Sequence, residues 1–263
     1  MSKRACVVCE TNENTDDYCS MDGQNYVICN HCGLIYVDKL LETRDLYKAY
    51  SGNFIKSFRR KLVAPFRTLK NYKNFDSQKK RAEEIVNFSV DKVSSKSETK
   101  KYLDIGCNRG FNLAAAHEKG LNVYGIELVP ELIRPFLNTY PQYKDQVFSE
   151  RFEDAKRNLT SGSFDLITGI DVVEHFEDVV KDLEGIFDIL KPGGVVVFQT
   201  PDVACDRAKQ DKCHWGALKP LEHLHLFSGE NLEILAKRIG FSNYSLHKEF
   251  EEADGNFVAV MYK

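Results

Sequence analysis

The sequence predicts an α/β fold: a doubly wound, mostly parallel sheet of seven strands, preceded by a small cysteine-rich unit and a helical connector. Three observations carry this reading. From Lys101 onward, short apolar or β-branched runs alternate with helical segments. The first of those runs ends in a glycine-bearing turn, Leu103-Asp104-Ile105-Gly106-Cys107-Asn108-Arg109-Gly110. Five of the eight cysteines (Cys6, Cys9, Cys19, Cys29 and Cys32) fall within the first 32 residues.

In chain order, residues 1–40 are short of apolar side chains and carry turn signals at Asp22-Gly23 and Cys32-Gly33. Such a segment scarcely buries a core unaided. Residues 41–100 form the connector. Phe54, Phe58, Leu62, Phe66 and Leu69 recur at three- and four-residue steps, the helical period, and Pro65 kinks or divides that run. The polar stretch Ser94–Lys101 leads into the sheet domain, 101–263. Its strands are expected at Tyr102–Gly106, Asn122–Leu128, Gln146–Ser149, Phe164–Ile170, Val195–Thr200, Tyr244–Phe250 and Phe257–Tyr262. Helices are expected at Asn112–Lys119, from Pro130 onward, at Val179–Leu190 up to the Lys191-Pro192-Gly193-Gly194 turn, and at Gly229–Ile239. Strands spaced by helices in this way build right-handed βαβ crossovers and a parallel sheet.

Composition narrows the function. The chain has 263 residues, is 43% hydrophobic and 29% charged, and carries a net charge of −3, which suits a globular protein and excludes a strongly basic one. No apolar run approaches the roughly 18 residues of a membrane span. No secretory signal is visible, so a cytoplasmic, reducing compartment is the default, and clustered cysteines there bind metal more often than they pair.

The cysteines have the spacing for that. Cys6-Val-Val-Cys9 and Cys29-Asn-His-Cys32 are separated by 19 residues, within the C-x2-C…C-x2-C pattern of a zinc site. Two knuckles give four thiolates, which close a tetrahedron and leave no position for water, so the Zn2+ would be structural. Metal binding would supply the folding energy that residues 1–40 lack. Cys19 stands outside the ligand set.

The glycine turn has an acidic partner. Glu127 ends the next expected strand, 21 residues after Gly106, where a carboxylate accepts hydrogen bonds from both ribose hydroxyls. A dinucleotide turn would place a second glycine against the pyrophosphate, but Asn108 stands there, and Asp104 would repel phosphate. A cationic ligand without phosphate fits better. S-adenosylmethionine (SAM) has an ammonium, a sulfonium and no phosphate.

The segment 103–110 resembles motif I of class I SAM-dependent methyltransferases, with Asn108 in place of the usual glycine; asparagine tolerates left-handed backbone better than most residues. The resemblance continues through Tyr124–Pro130, Ser163–Phe176 and Leu190–Pro201, and with the cysteine head, Leu46–Tyr50 and Trp215…Leu221–Ser228 it extends to bacterial-type methyltransferases of sugar and glycan pathways, some of them acting on nucleotide-sugars. It implies that Asp104 and Gly106 contact the methionine end of SAM, with Cys107 alongside and Gly110 shaping the turn. It implies that Glu127 binds the ribose, that Phe152 and Glu153 fall at the adenine pocket, and that Ile170 and Asp171 line the cofactor. A helix N-cap is the plain alternative for Asp171.

Methyl transfer is an in-line displacement for which alignment does much of the work. A hydroxyl or carbon acid must also lose a proton, and a histidine titrating near neutrality suits that task. His175, His223 and His225 lie on segments expected near the C-terminal edge of the sheet, where open α/β sheets bind ligands. His223 is favoured as the base, with Glu222 as a second polar contributor and His175 next. Trp215 is equally an aromatic wall for a sugar ring or a core residue.

The first functional reading is therefore methylation of a small polar or anionic metabolite, a sugar or nucleotide-sugar. The second is RNA methylation, since ten Lys/Arg and one acid lie between Lys56 and Arg81, interleaved with aromatic residues. That stretch is also readable as the solvated face of an amphipathic helix, or as a holder of a substrate diphosphate. A third reading makes the cysteine unit a protein-interaction module on a catalytically silent fold.

Overall fold

The computed structural model describes residues 4–11, 14–41, 68–71, 74–94, 99–248 and 255–263. The strands are β1 Thr15–Met21, β2 Gln24–Cys29, β3 Ile35–Val37, β4 Lys101–Ile105, β5 Asn122–Ile126, β6 Val147–Phe148, β7 Phe164–Ile170, β8 Leu190–Pro201, β9 His225–Leu226, β10 Asn243–His247 and β11 Asn256–Tyr262. The helices are α1 Phe75–Asp91, α2 Phe111–Glu118, α3 Pro130–Thr139, α4 Phe152–Ala155, α5 Val179–Ile189, α6 Asp206–Asp211 and α7 Gly229–Ile239.

A mixed, mostly parallel sheet of seven strands runs in the order β10-β11-β8-β7-β4-β5-β6. β4 pairs in parallel with both β5 and β7, so the strand order reverses at β4. That reversal opens a crevice beyond the carboxyl ends of β4 and β7, the general ligand position of such sheets. β7 is buried for six of its seven residues, including the polar Asp165 and Thr168, as a central strand covered on both faces is.

The chain divides into two compact units: Met1–Lys56 with Asp171–Leu183 and Phe198–Met261, and Ser57–Ile170 with Glu184–Val197 and Tyr262–Lys263. In the second, α1 buries Ala82, Ile85, Val86 and Ser89, a stripe at three- and four-residue steps. β8 starts at Leu190, earlier than the sequence suggests, and takes in the Lys191–Gly194 run expected as a turn. The reason is a partner at the far end of the chain: the Gly193 N–H donates to the Lys263 carbonyl at 3.0 Å, and the Lys263 N–H donates to the Gly194 carbonyl at 3.0 Å.

In the first unit, β1, β2, β3 and β9 form a four-stranded antiparallel sheet. Its core joins Tyr26, Ile35 and Val37 to Ala208, Trp215, Leu218, Leu224 and Leu226. The described residues of 1–40 thus share their core with segment 205–226. Trp215, 2% exposed, is therefore a core residue rather than an open aromatic wall. Cys19 is no bystander either, because it forms a disulfide with Cys213. In the same unit α7 begins at a capping box of Ser228 and Asn231 and ends at left-handed Gly240, the stop signals its length requires.

Candidate active site

The turn after β4 holds three left-handed residues in five: Gly106 at φ +70°, Asn108 at +49° and Gly110 at +77°. Asparagine meets that demand at the central position. At Gly110 the constraint is also steric. A Cβ there would stand 2.6 Å from Phe136 Cβ, so α3 packs directly on the backbone that opens α2. Cys107 is turned inward: its sulfur would be 2.9 Å from a Cβ on Gly125, so it packs over β5.

Two buried carboxylates flank this turn. Asp104, on β4, accepts the Thr168 hydroxyl at 2.6 Å, and Thr168 in turn accepts from Tyr102 at 2.6 Å. Burial pushes Asp104 up to about 7, with the Glu127 charge acting in the same direction. Glu127 accepts the Asn108 N–H and the Val129 N–H, one on each oxygen, both at 2.9 Å. Burial raises Glu127 too, against those two donors. Each oxygen has lone pairs left for further donors. Two buried acids on one glycine turn repel phosphate and attract a cation carrying hydroxyls.

Phe152 and Glu153 open the short helix α4. The Phe152 ring is buried and lies 3.0 Å from where a Gly185 Cβ would stand, while Glu153 pairs with Arg151 at 3.6 Å. Ile170 is the last residue of β7. Asp171 follows it at φ +54°, with its N–H donating to the Gln199 carbonyl at 2.9 Å. The next turn, Val173–His175, is flanked by Val172. A non-glycine residue in this conformation is a strained position of the kind that collects at functional sites.

The histidines divide. His225 is fully buried on β9, and its Nε2 accepts from Arg4 at 2.7 Å, a structural bond. His175 and His223 stand edge to face with ring centroids 4.8 Å apart. His175 Nδ1 donates to the Glu222 carbonyl at 2.8 Å, and His223 Nδ1 donates to the Ala217 carbonyl at 2.7 Å. Glu222 thus meets His175 through its backbone carbonyl, and its charge acts on the ring as well. Burial lowers both histidines, and His223, further lowered by His175, comes down to about 3. That corrects the expectation of a base titrating near neutrality, because desolvation outweighs the carbonyl's help. Sequence reasoning missed Glu174, which is fully buried beside His175. Burial raises it to about 8, with Asp171 adding to the shift. Its place in the Asp171-Val172-Val173-Glu174-His175 run was the available signal.

The four knuckle cysteines come together, their sulfurs all within 4.8 Å of one another, with Cys6–Cys32 at 3.6 Å and Cys29–Cys9 at 4.0 Å. Asn231 and Arg238 of α7 donate to the carbonyls of Cys32, Val7 and Val8 and hold both knuckles from outside. Most of the basic stretch 56–81 lies outside the described residues. In its described part, Lys79 pairs with Glu83 and Glu118, and Lys80 with Glu84, which neutralises much of its charge.

Known proteins share this architecture. A methyltransferase-domain family profile matches residues 72–246, more than half of the chain. The ubiquinone biosynthesis O-methyltransferase of Psychrobacter arcticus is 30% identical over 105 residues, which are 38% of this chain and 40% of that protein. Its counterpart in Actinobacillus pleuropneumoniae is 31% identical over 107 residues, 38% of this chain and 45% of that protein. The chain thus spans less than half the length of these curated relatives. Among solved structures, a SAM-dependent methyltransferase from Archaeoglobus fulgidus aligns with a TM-score of 0.55 at 15% identity over 70% of this chain and 94% of that one. The plantazolicin methyltransferase BpumL, solved with a substrate analogue and SAH, aligns at 0.54 and 15% identity over 84% of this chain and 94% of that one. These structural likenesses are of fold. No helix among the described residues is long and apolar enough to cross a membrane.

Proposed function

The chain belongs to the methyltransferase-domain family, and we propose that it moves a methyl group from SAM to a small polar acceptor, a sugar or nucleotide-sugar. The pair of buried carboxylates on one glycine turn carries this reading, because it suits a hydroxyl-bearing cation and opposes any pyrophosphate. That the curated relatives are O-methyltransferases of ubiquinone biosynthesis supports a small-molecule acceptor.

Bound SAM supplies a methyl already activated on sulfonium, so this chain's task is mainly to bind and align. Glu127 takes the ribose hydroxyls on the lone pairs left by Asn108 and Val129. Asp104 places negative charge toward the methionine end, ionising as the cation arrives. Gly106 and Gly110 let backbone approach the ligand, while Ile170 and Asp171 border it. Phe152 and Glu153 would border the adenine. Cys107 supports the turn. The acceptor side falls to segment 222–223 and His175. With both Nδ1 atoms committed to carbonyls, His175 and His223 act there as neutral nitrogen donors, and proton acceptance by His223 is a minor role.

We further assign a structural Zn2+ to Cys6, Cys9, Cys29 and Cys32. A tetrahedron of ~2.3 Å Zn–S bonds sets sulfur–sulfur distances of ~3.8 Å, and the Cys6–Cys32 and Cys29–Cys9 pairs, at 3.6 and 4.0 Å, bracket that value. Incubation with methyl-labelled SAM and a panel of sugars and nucleotide-sugars tests the function, with label expected in one acceptor class. Label appearing only in RNA would replace the acceptor proposed.

A further inference from the structure

We propose that Glu174, His175 and His223 form a second metal site, a two-histidine, one-carboxylate group that takes a divalent cation of the Mn2+, Fe2+, Co2+ or Zn2+ class. Each of the three residues offers one ligand atom, and these atoms lie within 4.8 Å of one another. The site is chemically separate from the four thiols. It rests in part on the methyltransferase reading, which gives the cation its task.

Three observations point to an ion. Glu174 is fully buried, and its Oε1 has no hydrogen-bond partner. A buried carboxylate oxygen left unmatched is costly, and a cation would satisfy it. Second, that oxygen lies 4.0 Å from His175 Nε2, too far for a hydrogen bond, and an ion bound to both at ~2.1 Å would draw the two atoms to ~3.0–3.4 Å. Third, every outer group is already in place. His175 Nδ1 donates to the Glu222 carbonyl, His223 Nδ1 to the Ala217 carbonyl, and the Thr200 hydroxyl donates to Glu174 Oε2 at 2.9 Å. A carbonyl can only accept, so both rings carry their proton on Nδ1 and present the Nε2 lone pair. This is how metal-binding histidines are oriented by the groups behind them.

The donor set selects the ion. Two imidazoles and one carboxylate suit borderline first-row divalent metals better than Ca2+, which prefers more oxygen ligands. Three protein ligands leave coordination positions for a small molecule, as catalytic sites do and closed structural sites do not. On the proposed function, those positions take oxygens of the acceptor. A cation there fixes the acceptor's orientation and lowers the pKa of its hydroxyl, whose proton leaves to water.

The test is a titration of protein carrying one equivalent of Zn2+ per chain, with Mn2+ followed by electron paramagnetic resonance, and with Co2+ followed by visible absorption. One further equivalent should bind, and the Co2+ spectrum should lack a thiolate charge-transfer band. Glu174→Gln and His223→Ala should weaken that binding about 10- to 100-fold. Absence of the extra equivalent in wild-type protein that binds SAM overturns the metal site and leaves the methyltransferase reading standing. Failure of the wild-type protein to bind SAM overturns that reading instead, whatever the metal result. Should a variant fold poorly, as its melting curve would reveal, the wild-type titration alone decides the matter.

Discussion

The Tyr26 hydroxyl donates to the His223 carbonyl at 2.7 Å and accepts the Lys219 N–H at 3.1 Å. One buried side chain of β2, on the cysteine-rich sheet, thereby fixes both ends of the loop that carries Glu222 and His223. Tyr26→Phe leaves a carbonyl and an N–H unmatched, at a cost of about 1–3 kcal/mol. The expected result is a lowered denaturation midpoint and reduced turnover, with SAM affinity unchanged. Full turnover in the variant would separate Tyr26 from the positioning of His223.

Gly110 is held to glycine by two constraints, a left-handed φ and the contact with Phe136. Gly110→Ala should therefore lose about 1–2 kcal/mol to backbone strain and a further ~1–3 kcal/mol to overpacking. Urea denaturation measures the sum. Gly120→Ala has a similar φ with nothing within 4 Å, so it should show the strain alone.

Asp104 makes stability and ligand binding depend on pH in opposite senses. Its carboxyl sits at about 7 in the folded protein against 3.8 ordinarily, so the folded state holds a proton that the unfolded chain releases. Between those values stability falls as pH rises, by up to about 1.4 kcal/mol per unit from this group. Asp104→Asn should flatten that slope in thermal melts from pH 4 to 8. SAM, a cation, favours the ionised carboxyl, so its affinity for wild-type protein should rise over the same interval. A pH-independent affinity would place the SAM charge away from Asp104.

Zinc removal is the fourth expectation. A strong chelator should release one Zn2+ per chain and lower the melting temperature, since the segment with Tyr26, Ile35 and Val37 borrows its core from residues 205–226. Cys29→Ser should reproduce the loss without chelator. Unaltered melting after complete demetallation would remove the structural role.

Periodicity and turn chemistry made much of this fold readable. β7 at Phe164–Ile170 and α7 at Gly229–Ile239 lie where apolar spacing and caps put them. What escaped depends on partners distant in sequence. β9 is two residues long and exists because β3 pairs with it. The disulfide joins cysteines 194 positions apart. At the site, Asp104, Glu127 and the turn were legible because one short stretch sets their geometry. The state of His223 was not, because its pKa follows from burial and from His175, neither of which a linear sequence displays. Glu174 was hidden likewise, since Thr200 and His223 reach it from other parts of the chain.

Calorimetric titration with SAM tests the central claim most directly. The wild-type protein should bind one SAM per chain, and Glu127→Gln, which loses one acceptor and presents an NH2 to a backbone N–H, should weaken binding by about 10- to 100-fold. Equal affinity in the two proteins, or no heat from wild-type protein, would contradict the account.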